Sequence, residues 1–367
     1  MRLHLENIGK IKTADVEIGG LTVIAGENDT GKSTIGKVLF SLIKANQKNI
    51  LFLNDKQFNI DKVAIDIAKN FKIYLKSEFK DTLISKNSKN GEAKINLTYN
   101  TDDINYTIRD IKLNLLDDVV DIQILNNAEH IYNDKLPYTD TTLIDDISAL
   151  NLAGILKNCM TIIDNNLENE IIKSTYNTTF IQYHLKDLAG KLILASKKEN
   201  KTDFQEWQKN ITEKIKEIMQ GRWVYDDFSG NEFKFISNNH SNQSFTNFNI
   251  ATGIKAFAII ELLLESGNGI ISPTRPLIID EPEIHLHPEW QLKYAEVIVE
   301  LVKNDIPVII TSHSPYFIQA LLHYGKKSNI DDDKLNFYLA ENDEIKKDDG
   351  CEKIFEKLYK PLEDIIE

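Results

Sequence analysis

One stretch constrains this chain more than any other: Gly26-Glu27-Asn28-Asp29-Thr30-Gly31-Lys32-Ser33-Thr34. It satisfies the pattern G-x-x-x-x-G-K-[ST] at every fixed position, and its flanks agree with it. Leu21-Thr22-Val23-Ile24-Ala25 reads as a strand before it, and Ile35, Val38, Leu39, Leu42 and Ile43 read as a helix after it. A strand feeding a tight glycine turn and then a helix start aims successive backbone N–H groups at one point. That geometry suits a polyphosphate. Lys32 is expected to reach the β- and γ-phosphates of ATP, and the Ser33 hydroxyl to ligate Mg2+. Gly26, Asn28, Gly31 and Thr34 are the remaining loop residues expected at the nucleotide.

A second block lies near the other end. Pro276-Leu277-Ile278-Ile279-Asp280-Glu281-Pro282 reads as a buried strand ending in two carboxylates. Downstream of a phosphate loop, Asp280 is the residue to support Mg2+, and Glu281 is placed to polarise the attacking water. The next strand, Ile306–Thr311, ends at Ser312-His313-Ser314-Pro315. Ser314 can cap and Pro315 can open the following helix, leaving His313 at a strand's carboxyl end as a γ-phosphate sensor. Between the two blocks, Ala251-Thr252-Gly253 opens a strongly apolar helix (Phe257, Ile260, Leu262, Leu263, Leu264). A small hydroxyl residue and a glycine at a helix start make a second anion site, which in one chain is best explained by use in trans.

The remainder is organised around these blocks. Leu3 and Leu5, then Ala14, Val16 and Ile18, alternate as strands. Ile60, Val63, Ile67, Phe71, Tyr74 and Leu75 form one face of a helix, with Lys62, Lys69, Lys72, Lys76 and Lys80 on the other. Residues 44–89 carry ten Lys against five acidic residues, so a basic segment sits in a chain of net charge −13. It is either a solvated face or a surface for nucleic acid or an acidic partner; the net charge excludes only broad adhesion to polyanions. Ile95, Leu97 and Tyr99, then Ile104, Tyr106 and Ile108, form a hairpin across Thr101-Asp102-Asp103, and Val119–Ile124 a further strand. Residues 145–220 read as helical, most clearly at Phe204, Trp207, Ile211, Ile215 and Ile218, before strands resume at Trp223–Tyr225 and Phe233–Phe235. No apolar run approaches the ~20 residues of a membrane span. Cys159 and Cys351 lack metal-ligand spacing, and no signal-peptide segment opens the chain. A cytoplasmic protein without a membrane partner is expected.

In this order the motifs carry a family resemblance. The loop Gly26–Thr34, the block Ala251–Lys255, the string Asp280-Glu281-Pro282-Glu283-Ile284-His285-Leu286-His287-Pro288 and Thr311-Ser312-His313-Ser314-Pro315 resemble an ABC-type ATPase of the OLD and SMC-like clade. ATPase subunits of bacterial anti-phage systems such as Septu, Gabija and PARIS are of this kind. The resemblance implies an α/β P-loop NTPase fold, an ABC-type head with a mostly helical insert lobe. It implies a Walker A loop, a signature motif at Thr252 and Gly253, a Walker B pair at Asp280 and Glu281, a D-loop after it and a switch histidine at His313. Glu283, His285 and His287 would also suit zinc, but their position in that string assigns them to the D-loop. Gln123 is the candidate for the Q-loop glutamine, and Asn28-Asp29 stands where Asn-Gly is frequent. The expected division is 1–45, a nucleotide-binding part with Walker A; 46–221, an insert, helical with a hairpin near 91–125; and 222–367, the second nucleotide-binding part.

Only 54 residues follow His313, too few for a TOPRIM nuclease domain of the OLD type. The expected function is therefore an ATP-hydrolysing subunit of an anti-phage complex. It would form a homodimer through ATP and control a separate effector, a nuclease or toxin. The alternatives are an SMC-like or repair ATPase acting on DNA directly, and a nucleotide-gated scaffold that holds a toxin inactive.

Overall fold

Strands with no polar face set the middle of the molecule. In the computed structural model, β3 (Leu21–Ala25) and β12 (Val308–Ser312) are buried at every residue, and β11 (Leu277–Asp280) at all but its last. Such strands need cover on both faces, which a parallel sheet flanked by helices provides. The structure describes residues 1–50, 60–79, 83–84, 88, 92–99, 102–114, 117–124, 137–152, 181–196, 205–226, 232–239, 243–266, 269–348 and 350–366. Lys80, Phe204 and the helix expected across 153–180 lie outside them.

Eleven strands form one sheet. Its parallel half runs β13 (Leu335–Glu341), β3, β12, β11 and β7 (Thr142–Ile144). Its antiparallel wing runs β2 (Ile11–Glu17), β1 (Arg2–Ile8), β4 (Glu92–Tyr99), β5 (Asp102–Asn114) and β6 (Asp117–Ile124). The strand β14 (Glu344–Lys347) joins the halves, antiparallel to β13 and parallel to β2. A separate three-stranded sheet is made by β8 (Gly221–Asp226), β9 (Glu232–Ser237) and β10 (Ser244–Thr246).

Alternate residues of the central strands feed two cores. Ile24, Ile278 and Ile309 face α1 (Lys32–Ile50), whose Ile35, Val38, Leu39 and Leu42 are fully buried, and α2 (Ile60–Phe79) joins them through Phe71 and Leu75. Val23, Ile279 and Ile310 belong to the other core. It also takes in α4 (Glu206–Met219), α5 (Thr252–Glu265), α6 (Pro288–Lys303) and α7 (Pro315–Lys327). The helix α8 (Glu352–Ile366) closes the chain. No helix among the described residues is long and apolar enough to cross a membrane.

One expectation, Gln123 at the Q-loop, needs correction. The hairpin near 91–125 is present, and its β4 pairs with the edge of β1 and extends the main sheet, where Ala93, Ile95 and Leu97 add to the α1 core. Gln123 consequently sits in β6, opposite Thr107, at the far end of the sheet from β11. Apolar alternation marks a strand without naming its neighbour, and the neighbour of β11 is β7, which ends at Ile144 and delivers Asp145 instead.

Charge also holds the layers together. Lys44, near the end of α1, pairs with Asp140 and lies 2.6 Å from Asp187 on α3 (Tyr183–Ser196). Lys191 lies 3.1 Å from Asp140 and 2.9 Å from Asp187, closing a buried quartet of two cations and two carboxylates. Removing one member leaves unbalanced charge out of water, at about 3–5 kcal/mol. Lys44→Ala should lower the urea unfolding free energy by that order, and a loss below about 1 kcal/mol would show the quartet to be solvated.

Candidate functional site

Parallel register brings three loops to one edge. Ala25 pairs with Ser312 and Asp280 with Thr311, so residues 26–34, 280–283 and 312–314 leave adjacent strands side by side. The Gly26 N–H donates to the Ser312 carbonyl at 3.2 Å, tying the first loop to the third. A Cβ at Gly26 would stand 2.5 Å from the Ala340 carbonyl oxygen, and Gly31 has φ +87°, so neither position tolerates a side chain without strain. Asp29 adopts φ +68° where a glycine is more usual, and an ion pair with Lys10 holds it there. The Thr30 hydroxyl donates to the Glu27 carbonyl at 2.9 Å and the Thr34 N–H to the Gly31 carbonyl at 3.0 Å, closing the turn into α1. Glu27, Asn28 and Asp29 are exposed at its rim.

Lys32 is only 3% exposed. It donates to the Glu27 carbonyl at 2.6 Å and lies 3.2 Å from Glu281 Oε1. Glu281 has left-handed backbone, φ +45°, fixed by its N–H, which donates to both the carbonyl and the hydroxyl of Thr311 at 3.1 Å. Its other oxygen is 3.6 Å from His313 Nδ1. The facing imidazole, with Lys32 beyond it, holds the Glu281 carboxyl below the usual carboxylate range, and Glu281 in turn raises His313. Burial pushes the Asp280 carboxyl up, while hydrogen bonds from Thr311 and Ser33 bring it part of the way back.

Glu283, which the sequence offers only as a possible zinc ligand, turns inward. Its Oε1 accepts from the Ser312 hydroxyl (2.7 Å), the His313 N–H (2.7 Å) and the Ser314 N–H (3.2 Å). His287 goes elsewhere and caps α6 by accepting from the Glu289 N–H. Ser314 caps α7 as expected, accepting from the Phe317 N–H at 3.3 Å. Thr252 and Gly253 open α5 at the surface with no side-chain cap, and share no hydrogen bond or ion pair with residues 26–34 among the described residues.

Sequence reasoning missed Asp145, His184 and Glu78. Asp145 follows Ile144, which pairs with Ile279, so it stands beside Asp280. Its Oδ2 is 2.7 Å from Nε2 of His184 on α3, whose Nδ1 contacts Glu78 on α2; His184 and Glu78 are fully buried. Asp145 Oδ1 is buried without a hydrogen-bond partner. These residues lie on three separate elements, and no sequence pattern links them. Ser33, Asp280 and the free oxygen of Asp145 are the hard oxygen donors that Mg2+ takes, often through its waters, so the residues present fit that ion.

Fold and site together define an α/β P-loop protein of the ATPase-head kind. The chain belongs to the family described as "AAA domain, putative AbiEii toxin, Type IV TA system", which matches residues 21–319. It is 25% identical to the endonuclease GajA of Bacillus cereus (strain HuB5-5) over 388 aligned residues, 88% of this chain and 55% of that protein. It is 43% identical to the Septu protein PtuA of Bacillus thuringiensis over 47 residues, 12% of this chain and 11% of that one. The chain thus spans about half the length of the first relative and a small part of the second. An Smc head bound to the C-winged helix domain of ScpA has the same fold, with TM-score 0.50, 14% identity and coverage of 97% of this chain and 98% of that one.

Burial alone would depress the His184 imidazole, but the Asp145 and Glu78 carboxylates outweigh it and raise it from 6.5 to about 9. The pairing therefore stabilises the fold fully below pH 6.5 and is lost as pH rises through about 9, a difference of about 3 kcal/mol. His184→Gln should cost more stability at pH 6 than at pH 10 by that order; a pH-independent cost in denaturant titrations would show the ring to be neutral.

Proposed function

We propose that this chain is the ATP-binding and ATP-hydrolysing subunit of a bacterial anti-phage defence assembly, paired with a second copy through ATP and controlling a separate effector. One observation carries the catalytic part: Lys32, Asp280, Glu281 and His313 converge at the ends of three adjacent parallel strands. Lys32 is engaged by Glu281 and the Glu27 carbonyl. A triphosphate offers it a stronger acceptor and draws it away, so Glu281 loses one stabilising cation and becomes more basic when substrate is in place. Glu281 then orients a water and takes its proton as the water oxygen attacks the γ-phosphorus. The bond to the bridging oxygen breaks and ADP leaves with its electron pair. His313 faces the same phosphate, positioned by Glu283. Ser33 and Asp280 are the residues that would hold a magnesium ion, which would supply positive charge to the phosphates.

The second copy would supply Thr252 and Gly253, whose helix start is open at the surface. Ile284 and Tyr316, 55% and 54% exposed on elements adjoining Glu281 and His313, favour an apolar cover on this face. The defence role and a nuclease or toxin as the separate effector are supported by the likeness to the endonuclease GajA and the Septu protein PtuA. A second reading, direct action on DNA, is favoured by α2, where Lys69 and Lys76 are exposed beside Ile73, itself 58% exposed. The scaffold reading would require Glu281 to be silent.

Lys32→Ala should abolish ATP binding. Glu281→Gln should bind ATP at least as tightly as the parent chain, since a competitor for Lys32 is removed, while turnover falls about 100- to 10,000-fold. Calorimetry and phosphate release separate the two, and equal loss of binding in both variants would remove Glu281 as the base.

Gly253→Asp should keep ATP affinity but lose ATP-driven pairing and hydrolysis, because its carboxylate would face the partner's γ-phosphate, a repulsion of about 4 kcal/mol at ~4 Å near a surface. Full ATPase activity independent of protein concentration would show that the site is complete within one chain.

A further inference from the structure

The buried chain Asp145–His184–Glu78 is larger than packing requires. Two carboxylates and an imidazole are removed from water, which costs free energy that apolar residues of similar volume would not. Two features separate it from a plain staple. First, it ends at the site: the register of β7 with β11 continues from the pair Ile144–Ile279 to Asp145 beside Asp280. Secondly, only one oxygen of Asp145 is engaged. Oδ2 faces His184, whereas Oδ1 is buried with no hydrogen-bond partner within the chain. Buried carboxylate oxygens are rarely left so, and this one adjoins the carboxylate assigned to the cation.

We infer that His184 and Glu78 are positioning residues for Asp145, holding its free oxygen beside Asp280 to accept a hydrogen bond from water on the bound magnesium ion. This rests on the ATP reading above. His184 cannot rotate away: Glu78 engages Nδ1, and the His184 backbone N–H donates to the same carboxylate at 3.2 Å. Glu78 is thus anchored twice, by ring and by backbone, and fixes the imidazole that fixes Asp145. Partners of this outer kind typically change metal affinity about 10- to 100-fold when removed. The chain spans three elements, β7, α3 and α2, so the helix bearing the exposed Lys69 and Lys76 is joined through buried charge to the cation's surroundings.

The test is the Mg2+ dependence of nucleotide binding, read with a fluorescent ATP analogue and with no turnover needed. Asp145→Asn should raise the Mg2+ concentration for half-maximal binding about 10- to 100-fold. His184→Gln and Glu78→Gln should raise it in the same direction, while binding of the analogue in EDTA stays at the parent level in all three. Glu78→Gln keeps an acceptor for the imidazole and decides the matter if His184→Gln does not fold. Folded Glu78→Gln or His184→Gln with the parent Mg2+ dependence would overturn the inference and leave the ATP reading standing. Parent protein whose nucleotide binding ignores Mg2+ would overturn the inference alone, and parent protein that binds no nucleotide at any Mg2+ concentration would overturn the ATP reading as well.

Discussion

The level ending of β3, β12 and β11 is the constraint on which the rest of the site depends. Parallel strands in register finish at the same height, so a turn leaving each one meets its neighbours without any long side chain having to reach. The Gly26 N–H on the Ser312 carbonyl, the Glu281 N–H on Thr311 and the Glu283 carboxylate on residues 312–314 then lock the three turns to one another. Glycine at 26 and 31 answers to other neighbours, Ala340 on β13 for the first and Ile11 on β2 for the second. Because each turn is fastened to the next, a displacement of one loop is felt by all three.

The second governing term is charge. Lys32 is nearly out of water and is paired with Glu281. The same logic recurs in the Lys44–Asp140–Asp187–Lys191 quartet and in the Asp145–His184–Glu78 chain, each of which pairs buried cations with buried carboxylates. In a chain of net charge −13 these internal cations are scarce and well placed. Hydrophobic burial sets the sheet and its helices; paired charge decides how helices α1, α2 and α3 register on it.

What could be read from the sequence follows from locality. The phosphate loop, the strand into Asp280-Glu281 and the Ser314 cap are defined by residues within a few positions of one another, so their types and spacing carry the geometry. The Lys32–Glu281 pair was not legible, although both residues were singled out, because nothing in the spacing says that a loop lysine falls on a carboxylate 249 positions away. Gln123 failed for a related reason: alternation announces β6 but not its place at the sheet's outer edge. The hairpin near 91–125 was recognised as such, whereas its membership of the main sheet depended on the unpaired edge of β1. Asp145, His184 and Glu78 form a contact between three elements, and a single sequence contains no trace of that.

The topology also has a kinetic side. Strand β3 is made long before both of its partners, because β12 and β13 come from residues 308–312 and 335–341. At a synthesis rate of about 5–20 residues per second, the strand that carries the phosphate loop waits roughly 15–60 s for either neighbour. During that interval it is a short, wholly apolar segment with both edges open, the kind of sequence that pairs with other chains if left bare. The β1–β2 hairpin, whose contacts are local, can form meanwhile, and β4 then joins it by pairing Leu97 with Leu3. A site whose walls lie so far apart in sequence is therefore also a record of synthesis: nucleotide can be gripped only after β12 has arrived beside β3.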